Sequence, residues 1–171
     1  MSFTEQPSIQ PEVTLYTGRY QQDVIDLILP IQQTEFGIPV TLSDQPDLST
    51  IPEFYQSGNG NFWVALVQGR VAGTIGLLDI GHGRGALRKM FVHAHYRGAK
   101  YGVGQALLNG LLHHAAEKSL REILLGTTEK FVAAHKFYEK NGFEQIMKSE
   151  LPPEFPIMAV DVKFYRLQLR K

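Results

Sequence analysis

The sequence predicts one mixed α/β domain, with a central sheet of about seven strands flanked by about four helices. Two observations carry that reading. Residues 61–80 read as a β-hairpin and the next strand follows after a short glycine-rich connector, which gives three consecutive strands in an antiparallel meander. A strand, a glycine loop, a helix and another strand then follow over residues 87–127, and strands joined through a helix run parallel.

The elements follow in order. Met1 to Pro11 is polar with two prolines and reads as a loose arm, and Val13 to Tyr16 as a first strand. Gln21 to Gln33 carries a helical stripe of Val24, Ile25, Leu27, Ile28 and Ile31, with Pro30 bending or ending it. A second helix is expected after Gly37-Ile38-Pro39, capped by Ser43 or Asp44, with Leu48, Ile51, Phe54 and Tyr55 on its apolar side. Asn61 to Gln68 and Val71 to Ile80 pair across a Gly69-Arg70 turn. Leu87 to Val92 is the fourth strand, and the long helix after it shows Leu107, Leu108, Leu111 and Leu112 as core packing. Glu122 to Thr127 is the fifth strand, and Phe131 to Asn141 the last helix, stopped by Gly142. Phe143 to Met147 and Val160 to Leu169 are the final strands, and no repeat or linker divides residues 1–171 into two domains.

Composition excludes several classes. The chain has 171 residues, enough for a proper core in one domain. Its 17 Lys plus Arg balance 17 Asp plus Glu, so no basic excess points to nucleic acid or an anionic membrane. It has no cysteine, hence no disulfide, thiolate metal site or cysteine nucleophile. The first residues lack the blocks of a signal peptide, and no apolar run reaches the about 18 residues of a membrane span. A cytoplasmic protein is expected. His93 and His95, or the adjacent His113 and His114, make no His-Glu-x-x-His arrangement, so no metal is expected either. A G-x-S-x-G nucleophile elbow is also absent.

The stretch from Ala86 to Leu112 holds the strongest chemical signal. Its strand leads through Arg97-Gly98-Ala99-Lys100-Tyr101-Gly102-Val103-Gly104-Gln105 into a helix. A helix start has unpaired N–H groups and a positive dipole end, and glycines let an anion approach the backbone. No Gly-Lys-Ser/Thr ending follows, and Leu107 stands where a dinucleotide loop needs its third glycine. A coenzyme A diphosphate loop and a plain tight turn before a core helix both remain open on this stretch alone.

A second stretch, Thr128 to Phe143, reads TEKFVAAHKFYEKNGF. The two together resemble the GNAT superfamily of acyl-CoA-dependent N-acyltransferases. The first matches its strand, Arg/Gln-x-x-Gly-x-Gly/Ala loop and helix. The second matches its A-x-x-x-Y-x-K-x-G-F segment through Ala134, Tyr138, Lys140, Gly142 and Phe143. The loop is two residues longer than the signature: either Ala99 takes the Arg/Gln position, or Arg97 does and Lys100-Tyr101 is an insertion, the reading favoured by Tyr96-Arg97-Gly98. Phe131 stands where many relatives carry an asparagine against the pantetheine arm.

The resemblance implies a GNAT-like sheet whose parallel fourth and fifth strands splay apart, and acetyl-CoA as co-substrate. Met90, Phe91 and Val92 would line the pantetheine arm, with backbone groups of Met90 and Val92 pairing with it and the Met90 N–H on the thioester oxygen. Arg97, Gly98, Ala99, Lys100, Tyr101, Gly102, Val103, Gly104 and Gln105 would hold the diphosphate, and Phe131 and Ala134 would complete the cofactor wall. Tyr138 would act as general acid towards the departing thiolate. The general base has no motif. Ala86 and Arg88, the expected inward residues of the fourth strand, are no bases, and among Glu35, Asp44, Asp79 and His82 the choice is Glu35. The implied activity is acetyl transfer to a primary amine of a small molecule or peptide, whose pocket residues 35–55 and 151–160 would shape. The rival is a non-catalytic acyl-CoA sensor or scaffold. By analogy with family members, Val160 to Leu169 would form the edge of a homodimer.

Overall fold

The computed structural model describes residues 10–169, so all but the end of the expected N-terminal arm lies outside the described residues. Seven strands form one sheet: β1 (Glu12–Leu15), β2 (Asn61–Val67), β3 (Arg70–Gly81), β4 (Arg84–Val92), β5 (Glu122–Thr127), β6 (Glu144–Ile146) and β7 (Lys163–Gln168). Their spatial order is β1-β2-β3-β4-β5-β7-β6. β4 and β5 run parallel, and the other neighbours run antiparallel. The fold is therefore the mixed α/β arrangement expected, with the meander and the parallel pair both in place.

Turn chemistry moves two boundaries. Gln68 and Gly69 both take positive φ, +51° and +79°, so the β2–β3 hairpin closes there, one residue before the expected Gly69-Arg70. His82 and Gly83 do the same at the β3–β4 connection. The connector is thus a two-residue turn, and β4 starts at Arg84 rather than Leu87, with Gly85 opposite Asp79.

α1 (Gln21–Pro30) ends at the proline and continues as one wider π-type turn, Ile31–Glu35, closed by Phe36 N–H donating to the Ile31 carbonyl at 3.1 Å. The expected second helix is much shorter. Asp44 caps nothing, because it and Thr41 close a turn on each other: Thr41 N donates to Asp44 Oδ2 at 2.9 Å and Asp44 N to Thr41 Oγ1 at 3.2 Å. Prolines 46 and 52 then start two separate turns, a 3₁₀ turn over Pro46–Ser49 and α2 (Ile51–Phe54). Leu48, Ile51 and Tyr55 are still fully buried, as their stripe requires.

α3 (Val103–Glu117) buries Val103, Leu107, Leu108, Leu111 and Ala115 on one face of the sheet. α4 (Val132–Lys140) adds Tyr138 to that same core. α1 and the turns after it bury Val24, Ile28, Leu48, Ile51 and Tyr55 against Phe62 and Val64, forming a separate core. The last strand is not an edge: β7 lies between β5 and β6, so the expected dimer edge at Val160 to Leu169 is already paired inside the sheet. Among the described residues no helix is long and apolar enough to cross a membrane.

Candidate active site

The site begins where the sheet comes apart. β4 and β5 pair at Arg84–Glu122, Gly85–Ile123 and Ala86–Leu124, and nowhere beyond. From Leu125 onward β5 pairs only with β7, so the second half of β4 faces a gap. Within that half the β3–β4 register slips between Gly76–Arg88 and Thr74–Phe91. Lys89 takes φ +52°, and its carbonyl accepts a 2.7 Å hydrogen bond from Thr74 Oγ1. This is a β-bulge, which re-aims side chains that strand alternation would send to opposite faces. The gap opens into a cavity of about 440 Å³ bordered by β4 residues 87–91, β5 residues 125–127, Tyr138 and Asp161.

The bulge brings Arg88 and Lys89 to the same place. Arg88 Nη2 and Lys89 Nζ lie 4.0 and 3.7 Å from one oxygen of Asp47, itself buried and accepting a 2.7 Å bond from the Tyr55 hydroxyl. Lys89 Nζ also donates to Gln45 Oε1. Gln45 and Gln32 exchange amide bonds of 2.9 Å in each direction. Burial drives the Lys89 ammonium down to about 8, against the pull of Asp47. Sequence reasoning missed this cluster; its one local signal is a pair of adjacent cations, Arg88-Lys89, inside an apolar strand.

The glycine loop folds as a closed turn. Tyr101 N and Gly102 N both donate to the Gly98 carbonyl, at 3.3 and 3.2 Å. Gly102 enters α3 at φ +64°, a left-handed conformation that favours glycine. The extra Lys100-Tyr101 pair is absorbed within this turn, and the Tyr101 ring packs edge-on against Tyr96 with centroids 5.3 Å apart. Ala99 and Lys100 are exposed on the turn. The amides of Val103, Gly104 and Gln105, in the first turn of α3, have no acceptor among the described residues. The Gln105 side chain is committed elsewhere, donating to Asn109 and Asn141.

Arg97 and Glu35, expected in different roles, are bound to each other. The guanidinium forks onto the Glu35 carboxylate, and its Nε donates to the Val92 carbonyl at 2.9 Å. One lone pair of Val92 is therefore taken. The hydrogen bond from Arg97 holds the Glu35 carboxyl below its ordinary range, which weakens it as a base, and Glu35 does not line the cavity. Asp79 and His82 do not line it either: Asp79 receives Asn59 N and Gly81 N, and His82 is exposed beside Glu154. Asp44 reaches the rim, but the Thr41 amide and hydroxyl hold it low.

Tyr138 meets the cavity from α4. It is buried, its hydroxyl donates to Met90 Sδ at 3.7 Å, and burial raises its pKa far above the ordinary phenol value, so it stays protonated. Phe131 packs edge-on against Phe36 and Phe91, with centroids 4.8 and 6.1 Å apart, and makes an aromatic wall rather than a polar contact. Ala134 is half-buried against the core.

The parallel strands part beside a helix start with free amides, and the buried Tyr138 lines the cavity that opens between them. The chain belongs to the Acetyltransferase (GNAT) family, whose pattern matches residues 25–143. It is 32% identical to an N-acetylaspartate synthetase of Danio rerio, over 73% of this chain and 48% of that protein. Against the Homo sapiens N-acetylaspartate synthetase it is 33% identical over 73% of this chain and 44% of that protein. The chain thus spans about half the length of these curated relatives. An acetyltransferase of the GNAT family from Staphylococcus aureus Mu50 superposes with a TM-score of 0.90 at 37% identity, covering 94% of this chain and 99% of that one.

Proposed function

We propose that this chain, acting as one catalytic domain, moves an acetyl group from acetyl-CoA to the primary amine of a small acceptor that also carries a carboxylate. Aspartate is the leading acceptor. The observation that carries the reading is the Arg88–Lys89 pair at the cavity that Tyr138 also lines. Arg88 and Lys89 there present guanidinium and ammonium donors on the cavity wall to an anionic ligand. The relatives named for N-acetylaspartate point the same way.

The residues present fit acetyl-CoA. The unpaired half of β4 offers an edge along which an amide-bearing arm can lie like an added strand. The free amides of Val103, Gly104 and Gln105 suit a diphosphate at the start of α3. Lys100 adds a nearby cation, and Phe131 flanks the arm with an apolar surface. Arg97, tied to Glu35 and Val92, holds the end of β4 in place. Acetyl-CoA supplies the activated acyl group. The Met90 N–H, on the bulged strand, is the donor for the developing oxyanion. Tyr138 donates a hydrogen bond to the leaving sulfur. Because its pKa lies above that of a thiol, it shares the proton and stabilises the thiolate, with full transfer completed by the proton the amine gives up.

The test is calorimetric titration with acetyl-CoA, then thiol release with aspartate, glutamate, spermidine, lysine and a neutral amine. Binding with release led by the acidic amino acids supports the proposal. Release led by the cationic amines overturns the acceptor assignment. Binding without release over the panel supports the acyl-CoA sensor instead.

A further inference from the structure

We propose that Asp161 is the general base, the group that takes the proton from the acceptor's ammonium; this rests on the acetyl-transfer reading above. Only a neutral amine attacks a thioester, so the ammonium must first give a proton to a side chain or a water within its reach. Glu35 and Asp79 are committed outside it, and Asp47 lies behind the two cations with its carboxylate on Tyr55. Asp44 is fixed on Thr41 at the rim.

Asp161 borders the cavity and is built into it. Its N–H donates to the Met158 carbonyl at 3.0 Å, and its Oδ2 accepts from Met158 N at 2.9 Å. The next residue hitches the turn to the end of β5, Val162 N donating to the Thr127 carbonyl at 3.0 Å. The carboxylate then fills the space over Gly126: a Cβ there would lie 2.7 Å from Oδ2 and 2.8 Å from Cγ. Gly126 belongs to the stretch of β5 that has left β4, so the carboxylate stands on one wall of the cleft and Arg88 and Lys89 on the other. Oδ1 has no donor among the described residues. Burial raises the Asp161 pKa against the opposing effect of Arg88 and Lys89, which face it from β4. Asp47 behind those cations, Asp44 at the rim and Tyr138 from α4 are the other titratable groups around the cavity.

The arrangement suits a zwitterion, with the acceptor carboxylate on Arg88 and Lys89 and its ammonium on Asp161. Oδ1 takes one proton from the ammonium. The nitrogen lone pair forms the new C–N bond, the carbonyl π pair moves to oxygen, and its return expels the thiolate as the C–S bond breaks. The nitrogen loses its second proton to the thiolate through Tyr138, and Asp161 returns its own proton to solvent.

The test compares wild type with Asp161→Asn in the full chain, using the panel amine that wild type turns over fastest, aspartate first. Failure of the acidic-acceptor reading therefore leaves this assay standing. Asparagine keeps an oxygen for Met158 N. A fall in kcat of about 10²–10⁴-fold is expected, with unchanged acetyl-CoA binding and loss of the acid limb of the pH–rate profile. Hydroxylamine, a far weaker base that is neutral near pH 7, should lose far less than the ammonium acceptor. Gly126→Ala, which pushes the carboxylate aside without removing it, should lower kcat and displace the acid limb. An Asp161→Asn enzyme that keeps its acid limb and wild-type kcat overturns the proposal; should that variant fail to fold, an unchanged profile in Gly126→Ala does so.

Discussion

Lys89 makes opposite demands on folding and on binding, and replacing it with methionine separates them. The stem volume is kept and the charge is removed. Lys89 falls from 10.5 to about 8 in the folded state, so the protonated form costs the fold roughly 2.5 × 1.36, or about 3 kcal/mol. Loss of the bond to Gln45 returns about 1 kcal/mol of that. The attraction of Asp47 is already contained in that depressed value. The net expectation is a gain of about 2 kcal/mol near pH 7, or about 4–8 °C in Tm for a chain of this size. The sign follows from linkage. Because the folded pKa is depressed, the unfolded state binds more protons between the two values, and wild-type stability rises as pH climbs from about 8 towards 10.5. The advantage of Lys89→Met should therefore be largest at or below pH 7 and shrink above pH 10. Binding should move the other way: losing a charge-assisted contact raises KM for aspartate by about 10- to 100-fold. Wild-type KM should itself rise as pH passes about 8 and the ammonium loses its charge. Differential scanning fluorimetry across pH, with KM measured on the same preparations, reads both effects. A variant less stable at pH 7 with unchanged KM would show that Lys89 serves only to neutralise Asp47, and the acceptor reading would fall with it.

Two further substitutions divide the remaining roles. Tyr138→Phe should lower kcat by about 10²-fold while leaving acetyl-CoA affinity intact, read by steady-state kinetics beside calorimetry. Its melting temperature should hold or rise slightly, because the hydroxyl that is lost has only the weak Met90 sulfur as partner. Glu35→Gln should leave the acid limb of the pH–rate profile where it is, because that carboxylate is spent on Arg97, and a partly exposed pair of this kind contributes about 1 kcal/mol or less to stability. A displaced acid limb would return Glu35 to the chemistry.

The residues proposed for the cofactor stand out in the sequence because they are local. Gly98, Gly102 and the start of α3 are contiguous, so a sequence pattern records them directly. Tyr138 was singled out by the resemblance of Thr128 to Phe143 to a family segment, and the structure places it on the cavity. The half of the site proposed for the acceptor was not legible, because Gln32, Gln45, Asp47, Lys89 and Asp161 lie on four separate segments and meet only after folding. The bulge at Lys89 hid the two cations on which that proposal rests. Strict alternation sets Arg88 and Lys89 on opposite faces, and no proline or glycine at that point marks the slip. Glu35, the choice for the base, is held off the cavity for a related reason. Its position at the end of the first helix was read correctly, but its partner lies 62 residues away on the glycine loop.

The wide turn after α1 ties these two halves together. Its Gln32 fixes Gln45, which holds the Lys89 ammonium at the cavity wall. Its Glu35 holds Arg97, which anchors the end of β4 beside the glycine loop. Phe36, the next residue, packs on Phe131, and Lys130 Nζ donates to the carbonyls of Phe36 and Gly37 at 3.2 and 3.4 Å. One six-residue segment thus reaches Lys89 through Gln45 and touches the loop before α3 and the loop before α4 directly. Pro30 is what makes that segment distinct. It has no N–H to extend the α1 ladder, so the chain leaves regular α-helical spacing where Gln32 and Glu35 must reach in different directions. In an unbroken α-helix those two residues would share one face, and serving both halves of the cleft would fall to separate elements.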